Sequence, residues 1–344
     1  MKAVYKHWYL VSAYSVTHFI IDFACAFLMF RSIAGTPDGY LCVLIYNFCA
    51  FAMQMPLGII ADKWNKNYIF AIIGCAFVGA AYSLILIPVL AVTVVGIGNA
   101  MFHVGGGIDV LNISVRKAAP LGVFVSPGAF GVFYGTMLGR DDRFSAVFIV
   151  LALTLSVILI WAAHKIQAGT YPKNVPFSLN GIASMRVFIA VVCLFLVVCV
   201  RSYVGLAMNF SWKGIDWWGT TLVCAVVFGK TLGGFAADKF RLVKASIFSL
   251  GLAAVLFVFS GNAISGVTAV LLFNMTMPVT LWVTAKVFPG AKGFSFGLLT
   301  FALFLGFLPK YLGLDLPTDM GWLYMTGSVL SLALLLIAIQ RVEQ

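Results

Sequence analysis

Five ionisable side chains stand inside long apolar runs of this chain. They are His18, Asp22, His103, Arg201 and Lys230. Because a charged group at the centre of a bilayer costs at least about 2.5–3.5 kcal/mol, each of them needs a physical reason to be there. Their side chains offer three kinds of chemistry: proton exchange, metal ligation and anion binding.

His18 and Asp22 are four residues apart, so on a helix they lie on one face. An imidazole beside a carboxylate can take up and release a proton near neutral pH, although such a pair can also serve only to fix helix packing. With His103 as a third ligand, a divalent metal is an alternative occupant, since imidazole and carboxylate suit such ions. Gly105–Gly107 follow, and they either admit a close neighbour or interrupt the helix.

The corresponding residues of the second half of the chain are cationic. Arg201 and Lys230 together suit a carboxylate, phosphate or phosphonate, which a guanidinium fork and an ammonium group would hold. Alternatively, Arg201 neutralises Asp22. The sequence therefore predicts a substrate-binding or proton-coupling set made of His18, Asp22, His103, Arg201 and Lys230.

The elements that carry these residues must be membrane helices. Of the 344 residues 62% are apolar and 10% are charged, whereas soluble domains are about 45–50% apolar and about 25% charged. Runs of about 20 apolar residues, the length of one crossing, recur along the whole chain. We predict an all-α membrane protein with twelve transmembrane helices: a six-helix half over 1–164, a cytoplasmic linker over 165–182, and a second six-helix half over 183–344.

A short motif occurs twice, at a spacing of about half the chain. Gly58–Trp64 (GIIADKW) returns as Gly234–Phe240 (GFAADKF), in each case at the end of an apolar run. Such an internal repeat indicates two pseudo-symmetric halves. Small residues allow two helices to approach. An aspartate at a helix end can accept hydrogen bonds from the N-terminus of a neighbouring helix, or pair with a basic residue of the adjoining loop. We predict a gating latch in each half, made of Gly58, Asp62 and Lys63 and of Gly234, Asp238 and Lys239.

The loop cations predict the orientation. Lysine and arginine are more frequent in the loops that share a side with both termini, which the positive-inside rule places in the cytoplasm. The net charge of +11 is spread over these short loops, so a nucleic-acid partner is not expected. The expected location is the inner (cytoplasmic) membrane, where a multi-pass monomer contacts lipid, protons and a small-molecule substrate.

These motifs resemble a known family. The repeated G-x-x-A-D-K segment and the twelve predicted helices resemble the major facilitator superfamily, which implies the major facilitator fold. His18–Asp22 (HFIID), Gly98–His103 (GNAMFH) and Arg201–Tyr203 (RSY) are similar to the fosmidomycin-resistance branch of that superfamily. The resemblance implies drug efflux.

The predicted function is secondary transport by alternating access, as proton-coupled export (antiport) of a small anionic or amphiphilic organic compound. The alternatives are a divalent-metal transporter that uses His18, Asp22 and His103, and organic-anion uptake by symport. An enzyme is not expected, because the chain has no HExxH or nucleophile–base motif. It also has no GxxxxGK[ST] segment for ATP, and no cofactor is expected.

Overall fold

A computed structural model of the chain shows helices and, within the described residues, no strand. The described residues are 2–141, 144–167, 175–179, 184–214, 217–314 and 321–343. Ten helical segments are long and apolar enough to cross a membrane, so the chain is a multi-pass membrane protein.

The helices follow the predicted apolar runs. Those of the first half of the chain are α1 (Lys2–Leu28), α2 (Gly39–Asn47), α3 (Gln54–Trp64), α4 (Asn67–Ala81), α5 (Pro88–Ile113), α6 (Ala119–Val125), α7 (Gly128–Gly139) and α8 (Ala146–Gln167). Those of the second half are α9 (Met185–Ala207), α10 (Trp218–Phe240), α11 (Leu242–Val258), α12 (Ala263–Asn274), α13 (Met277–Val287), α14 (Lys292–Tyr311) and α15 (Gly321–Glu343). Two π-helical segments, Met29–Ile33 and Phe48–Ala52, extend α1 and join α2 to α3.

The two shorter apolar helices are α4 and α11. The third apolar run extends to residue 88 in the sequence, but α4 ends at Ala81 and a turn precedes α5. Pro88 begins α5, where its missing N–H is no loss because the first turn of a helix has no acceptor for it. Leu84–Ile87 are apolar by composition yet lie in the turn.

Two breaks divide apolar runs that the sequence presents as continuous. α6 and α7 are separated at Ser126 and Pro127, and α12 and α13 at Met275 and Thr276. Both breaks involve a proline, Pro127 before α7 and Pro278 in the first turn of α13, because proline cannot donate the N–H that would continue the preceding helix. These breaks supply polar groups to the sites described below.

The chain divides into two compact units. The first contains Met1–Val115, Val123–Phe177 and Gly290–Gly297, and the second contains Arg116–Gly122, Ser178–Pro289 and Leu298–Gln344. Each unit thus combines most of one half of the sequence with the first residues of a helix from the other half. Of the predicted linker, residues 165–167 belong to α8, and residues 168–174 and 180–182 lie outside the described residues.

Each copy of the repeated motif is followed by a non-glycine residue with a positive φ, although the two ψ values differ. Asn65 and Arg241, each three residues after the motif aspartate, have φ of 56° and 70°. Asparagine tolerates this left-handed conformation, whereas the ψ of 152° at Arg241 lies in a region that favours glycine. The two copies therefore share a positive φ after the motif as well as a similar amino-acid sequence.

Candidate functional site

Three of the predicted residues form one cluster in the first unit. His18 and Asp22 lie one turn apart on α1, with His18 Nε2 3.2 Å from an Asp22 carboxylate oxygen. His103, on α5, places its Nε2 2.9 Å from His18 Nε2 and 3.7 Å from Asp22. The side chains are mostly buried. The structure thus brings together two residues that are 85 positions apart in the sequence.

The hydrogen bonds of the two imidazoles determine how many protons they carry. His18 Nδ1 lies 2.7 Å from the Phe124 carbonyl oxygen and His103 Nδ1 lies 2.9 Å from the Asn99 carbonyl oxygen. A carbonyl oxygen only accepts, so we assign a proton to each Nδ1. The Nε2–Nε2 hydrogen bond then needs one further proton, because two lone pairs at 2.9 Å would repel. The Asp22 carboxylate lies where it would balance the positive charge of a pair that shares such a proton.

Asp22 has a further donor and a close neighbour. Asn99 Nδ2 donates to Asp22 Oδ1 at 3.0 Å. Gly128, the first residue of α7, stands against Asp22 and His18 so closely that a Cβ there would overlap both side chains. The positive end of the α7 dipole consequently lies beside the carboxylate and favours its ionised form.

Sequence analysis missed Asn99, Phe124 and Gly128 as parts of this site. Pro127 is the signal that could have found the helix break, since it leaves the Val123 carbonyl, four residues earlier, without its helical donor. Ser15 Oγ donates to that Val123 carbonyl at 3.2 Å, and His18 bonds the carbonyl of the next residue. The break between α6 and α7 therefore orients His18.

Gly105–Gly107 serve close packing and do not interrupt α5. The helix is continuous through them, and a Cβ at each position would meet a different neighbour: the backbone of α4 at Gly105, the Tyr14 ring at Gly106 and the Phe296 ring at Gly107. Of the two possibilities that the sequence left open, the structure shows the first. These contacts hold His103 at its distance from α1.

A second buried carboxylate lies near the cluster. Asp109, on α5, is only 3% exposed and accepts hydrogen bonds from Tyr14 Oη at 2.7 Å and Asn67 Nδ2 at 2.9 Å. These bonds connect α1, α4 and α5 and satisfy a group that would otherwise be costly to bury.

In the second unit, Arg201 is a buried cation beside a helix break. It lies on α9, is 7% exposed, and its Nη1 is 3.5 Å from Thr276 Oγ1, at the limit of a hydrogen bond. Thr276 is the N-cap residue of α13. Among the described residues, Arg201 has no acidic partner. A guanidinium next to a helix N-terminus is a setting that favours an anion.

Lys230 lies on α10, where it is half-buried. Its backbone carbonyl oxygen packs against Gly122, and a Cβ added to Gly122 would lie only 2.8 Å from that oxygen. The position of Lys230 thus belongs to the close contact between α10 and the start of α6.

The two motif aspartates each cap a helix. Asp62, near the end of α3, accepts hydrogen bonds from the backbone N–H groups of Gly293 (2.8 Å) and Phe294 (2.9 Å) at the start of α14. The glycine one turn earlier, Gly58, contacts the same Gly293, and a Cβ at either glycine would overlap the other's backbone. Lys292 Nζ donates to Asn112 Oδ1 at 2.8 Å beside this contact.

The second copy repeats this arrangement. Asp238 accepts hydrogen bonds from the backbone N–H groups of Ala118 (2.6 Å) and Ala119 (3.1 Å) at the start of α6, and Gly234 packs against the same two residues. We name the contacts made by Asp62 and Asp238 the first and second latch.

The motif lysines lie elsewhere. Lys63 is exposed and its Nζ lies 5.2 Å from the centre of the Phe177 ring, while Lys239 is exposed beside the Phe240 ring. Within the described residues neither lysine pairs with the neighbouring aspartate.

Comparison of the sequence with protein-family models and with curated proteins finds no match. Solved structures are similar. A crystal structure of a major facilitator superfamily transporter, FucP, in the outward conformation has a TM-score of 0.71 at 14% identity, over 99% of each chain. An asparagine-to-alanine variant of the E. coli fucose:proton symporter FucP has a TM-score of 0.69 at 13% identity, again over 99% of each chain. Both neighbours are transporters and not enzymes. Over its whole length, the chain therefore has the fold of a major facilitator superfamily transporter.

Proposed function

We propose that this protein is a secondary active transporter of the major facilitator superfamily that exchanges protons for a small anionic or amphiphilic organic compound, which it exports. The observation that carries the proposal is the cluster of His18, His103 and Asp22, whose hydrogen bonds need one exchangeable proton inside a membrane protein. Loss of that proton leaves two opposed lone pairs and an unbalanced carboxylate. The cluster must then rearrange, and this links protonation to conformation.

The substrate class follows from Arg201. A buried guanidinium without an acidic partner among the described residues is costly, and an anionic substrate would supply the missing charge. The N-terminus of α13 adds to this preference. We propose that Arg201 holds the carboxylate, phosphate or phosphonate of the substrate, with Lys230 as a second cation.

The topology is also part of the proposal. Ten long and two shorter apolar helices make twelve crossings in two six-helix halves over 1–164 and 183–344, with both termini and the linker in the cytoplasm. The protein would work as a monomer in the inner membrane. Its place in the fosmidomycin-resistance branch is supported by the His18–Asp22, Gly98–His103 and Arg201–Tyr203 motifs.

The latches belong to alternating access. Each is formed between a helix end and a helix start from opposite halves of the sequence, so we propose that both close in one state of the transport cycle and open in the other. Because they cap helix N-termini with a carboxylate, they stabilise the closed state without involving Lys63 or Lys239.

A first experiment tests substrate binding. A thermal-shift screen of the purified protein against small carboxylates and phosphonates, fosmidomycin among them, should find an anion that raises the melting temperature. Arg201→Gln should abolish that increase, while Arg341→Gln, at an exposed position on α15, should keep it. If Arg201→Gln responds like the wild type, Arg201 does not bind the substrate.

A second experiment tests proton coupling and direction. In proteoliposomes with a pH-sensitive dye, a gradient of the identified anion should drive protons in the opposite direction. Asp22→Asn should reduce this flux at least about ten-fold, whereas Asp38→Asn, at an exposed residue, should not. Proton movement in the same direction as the anion would instead support uptake by symport. No anion-dependent flux would reject proton coupling.

The alternative function is divalent-metal transport. The ligand atoms of His18, Asp22 and His103 lie within 4.8 Å of one another, which suits a bound cation as substrate. However, nitrogens around a tetrahedral Zn²⁺ at ~2.0–2.1 Å stand roughly 3.4 Å apart, farther than the 2.9 Å between the two imidazoles. Zn²⁺-induced quenching of tryptophan fluorescence that His18→Ala removes would support this alternative over the proton.

A further inference from the structure

A polar cavity opens at the end of α1 that leads into the π-helical segment Met29–Ile33. Its volume is about 400 Å³, and its lining combines aromatic, aliphatic and polar groups: Phe27, Arg31, Ser32, Tyr82, Ile85, Phe144, Ser145 and Ala146. The Arg31 side chain is exposed, and the Ser32 hydroxyl donates no hydrogen bond to another described residue.

An apolar groove continues from this cavity. It has a volume of about 190 Å³, it runs between α1 and α8, and its lining is almost entirely carbon: Phe19, Ile20, Phe23, Phe148, Ile149 and Ala152. Phe144 lines both the cavity and the groove. Its ring is 5.5 Å from the Phe27 ring and 5.9 Å from the Phe23 ring, so the wall is continuous.

The cavity and the groove share one stripe of α1. Residues 19, 23, 27 and 31 recur at every fourth position and so lie on one face of the helix. At 1.5 Å per residue this stripe is about 18 Å long. One leaflet of a bilayer has a hydrocarbon depth of about 15 Å, half of the membrane core. The stripe therefore matches one acyl chain with its polar head at the Arg31 end.

We propose that this surface is a binding site for an anionic phospholipid, with the headgroup phosphate at Arg31 and Ser32 and one acyl chain in the groove. The Arg31 guanidinium provides a forked donor pair for a phosphate, and Ser32 adds a hydroxyl donor in the same cavity. The phenylalanine wall excludes water from the chain. The site lies outside the cluster of His18, Asp22 and His103 and does not depend on the identity of the transported substrate.

Native mass spectrometry of the full chain tests this site. With equal amounts of palmitoyl-oleoyl phosphatidylglycerol and phosphatidylcholine, we expect the wild type to retain phosphatidylglycerol preferentially. Arg31→Gln should lower that preference about five-fold, because one cation near a membrane surface contributes about 1 kcal/mol to the binding of an anionic lipid. The control Arg341→Gln, an exposed arginine remote in sequence from the site, should keep the preference of the wild type.

The groove is tested by filling it. Ala152→Phe should reduce retention of phosphatidylglycerol, whereas Leu151→Phe, at the exposed neighbouring position of α8, should not. Equal retention of the two lipids by the wild type would overturn the proposal, as would an unchanged preference in Arg31→Gln. If glycerol 3-phosphate without acyl chains competes as well as the lipid does, the groove has no part in binding and the proposal is wrong.

Discussion

At the scale of single residues, the 2.9 Å contact between His18 Nε2 and His103 Nε2 is the most informative feature of the molecule. Each imidazole is oriented by a carbonyl on its other nitrogen, so rotation of either ring would break a hydrogen bond. The cluster is in this sense preorganised: two backbone acceptors, one amide donor from Asn99 and one carboxylate surround the two facing Nε2 atoms.

Gly128 should be essential to this arrangement. We expect Gly128→Ala to displace Asp22 and His18, to destabilise the protein by about 1–3 kcal/mol as overpacking usually does, and to abolish substrate-dependent proton flux. Thermal unfolding and the dye assay measure the two effects.

The matched control is Gly251→Ala on α11, where nothing lies within 4 Å of the added Cβ. Alanine has the higher helix propensity, so this variant should be neutral or more stable by up to about 1 kcal/mol. Equal behaviour of the two variants would show that Gly128 does not support the cluster.

Arg241 stores strain that a single substitution should relieve. Its φ of 70° and ψ of 152° favour glycine, and such conformations cost a larger residue about 1–3 kcal/mol. We therefore expect Arg241→Gly to raise the melting temperature, while Asn65→Gly should change it little because asparagine tolerates its own left-handed conformation. A lower melting temperature for Arg241→Gly would contradict this account.

At the scale of elements, the latches show how a carboxylate joins two helices. In both copies the aspartate bonds two consecutive N–H groups of a helix start, and the glycine one turn earlier lets the backbones approach. The helix breaks act in the opposite way. Each break ends a helix inside an apolar run. His18 contacts the Phe124 carbonyl at the first break, and Arg201 contacts the Thr276 hydroxyl at the second.

We expect Asp62→Asn and Asp238→Asn to weaken the first and second latch by similar amounts, about 0.5–2 kcal/mol each. The amide has no negative charge, and its NH₂ group would face one of the backbone N–H donors. Thermal unfolding and transport rates measure the effect. Lys63→Gln and Lys239→Gln are the controls and should change neither quantity, since both lysines lie over aromatic rings. Equal losses in the lysine variants would show that charge at the loop, and not capping, stabilises the contact.

At the scale of the whole molecule, the number of crossings depends on α4 and α11. With 15 residues, α4 is about 22 Å long, shorter than a bilayer core of about 30 Å. A short helix can still cross if the bilayer thins or its flanking residues extend outward.

Cysteine labelling tests the crossing. In a variant without the seven native cysteines, Lys66→Cys and Ser83→Cys flank α4. We expect a membrane-impermeant maleimide to reach them from opposite sides of the membrane. Labelling of both from one side would mean that α4 does not cross, and the chain would then have fewer than twelve crossings.

The sequence by itself determined the membrane helices and the residues worth attention. Long apolar runs specify helices in lipid, because a helix satisfies all backbone hydrogen bonds within one segment where no water is present. A charged residue inside such a run is rare and is therefore easy to recognise in the sequence. The repeated motif left two partners open for each aspartate, a helix N-terminus or a loop cation, and the structure shows the helix N-terminus for Asp62 and Asp238. A span boundary such as the end of α4 was less predictable, because a turn made of apolar residues has the composition of a helix.

Only the tertiary structure decided which of these residues meet. His18 and Asp22 are neighbours along one helix, but the approach of His103, Asn99 and Gly128 depends on how α1, α5 and α7 pack. The positions of these residues in the sequence do not indicate that their side chains meet. The partner helices of the two latches and the approach of the Phe124 carbonyl to His18 were likewise decided by packing. Local propensity acts along the chain, whereas hydrogen bonds between helices exist only once their positions are set.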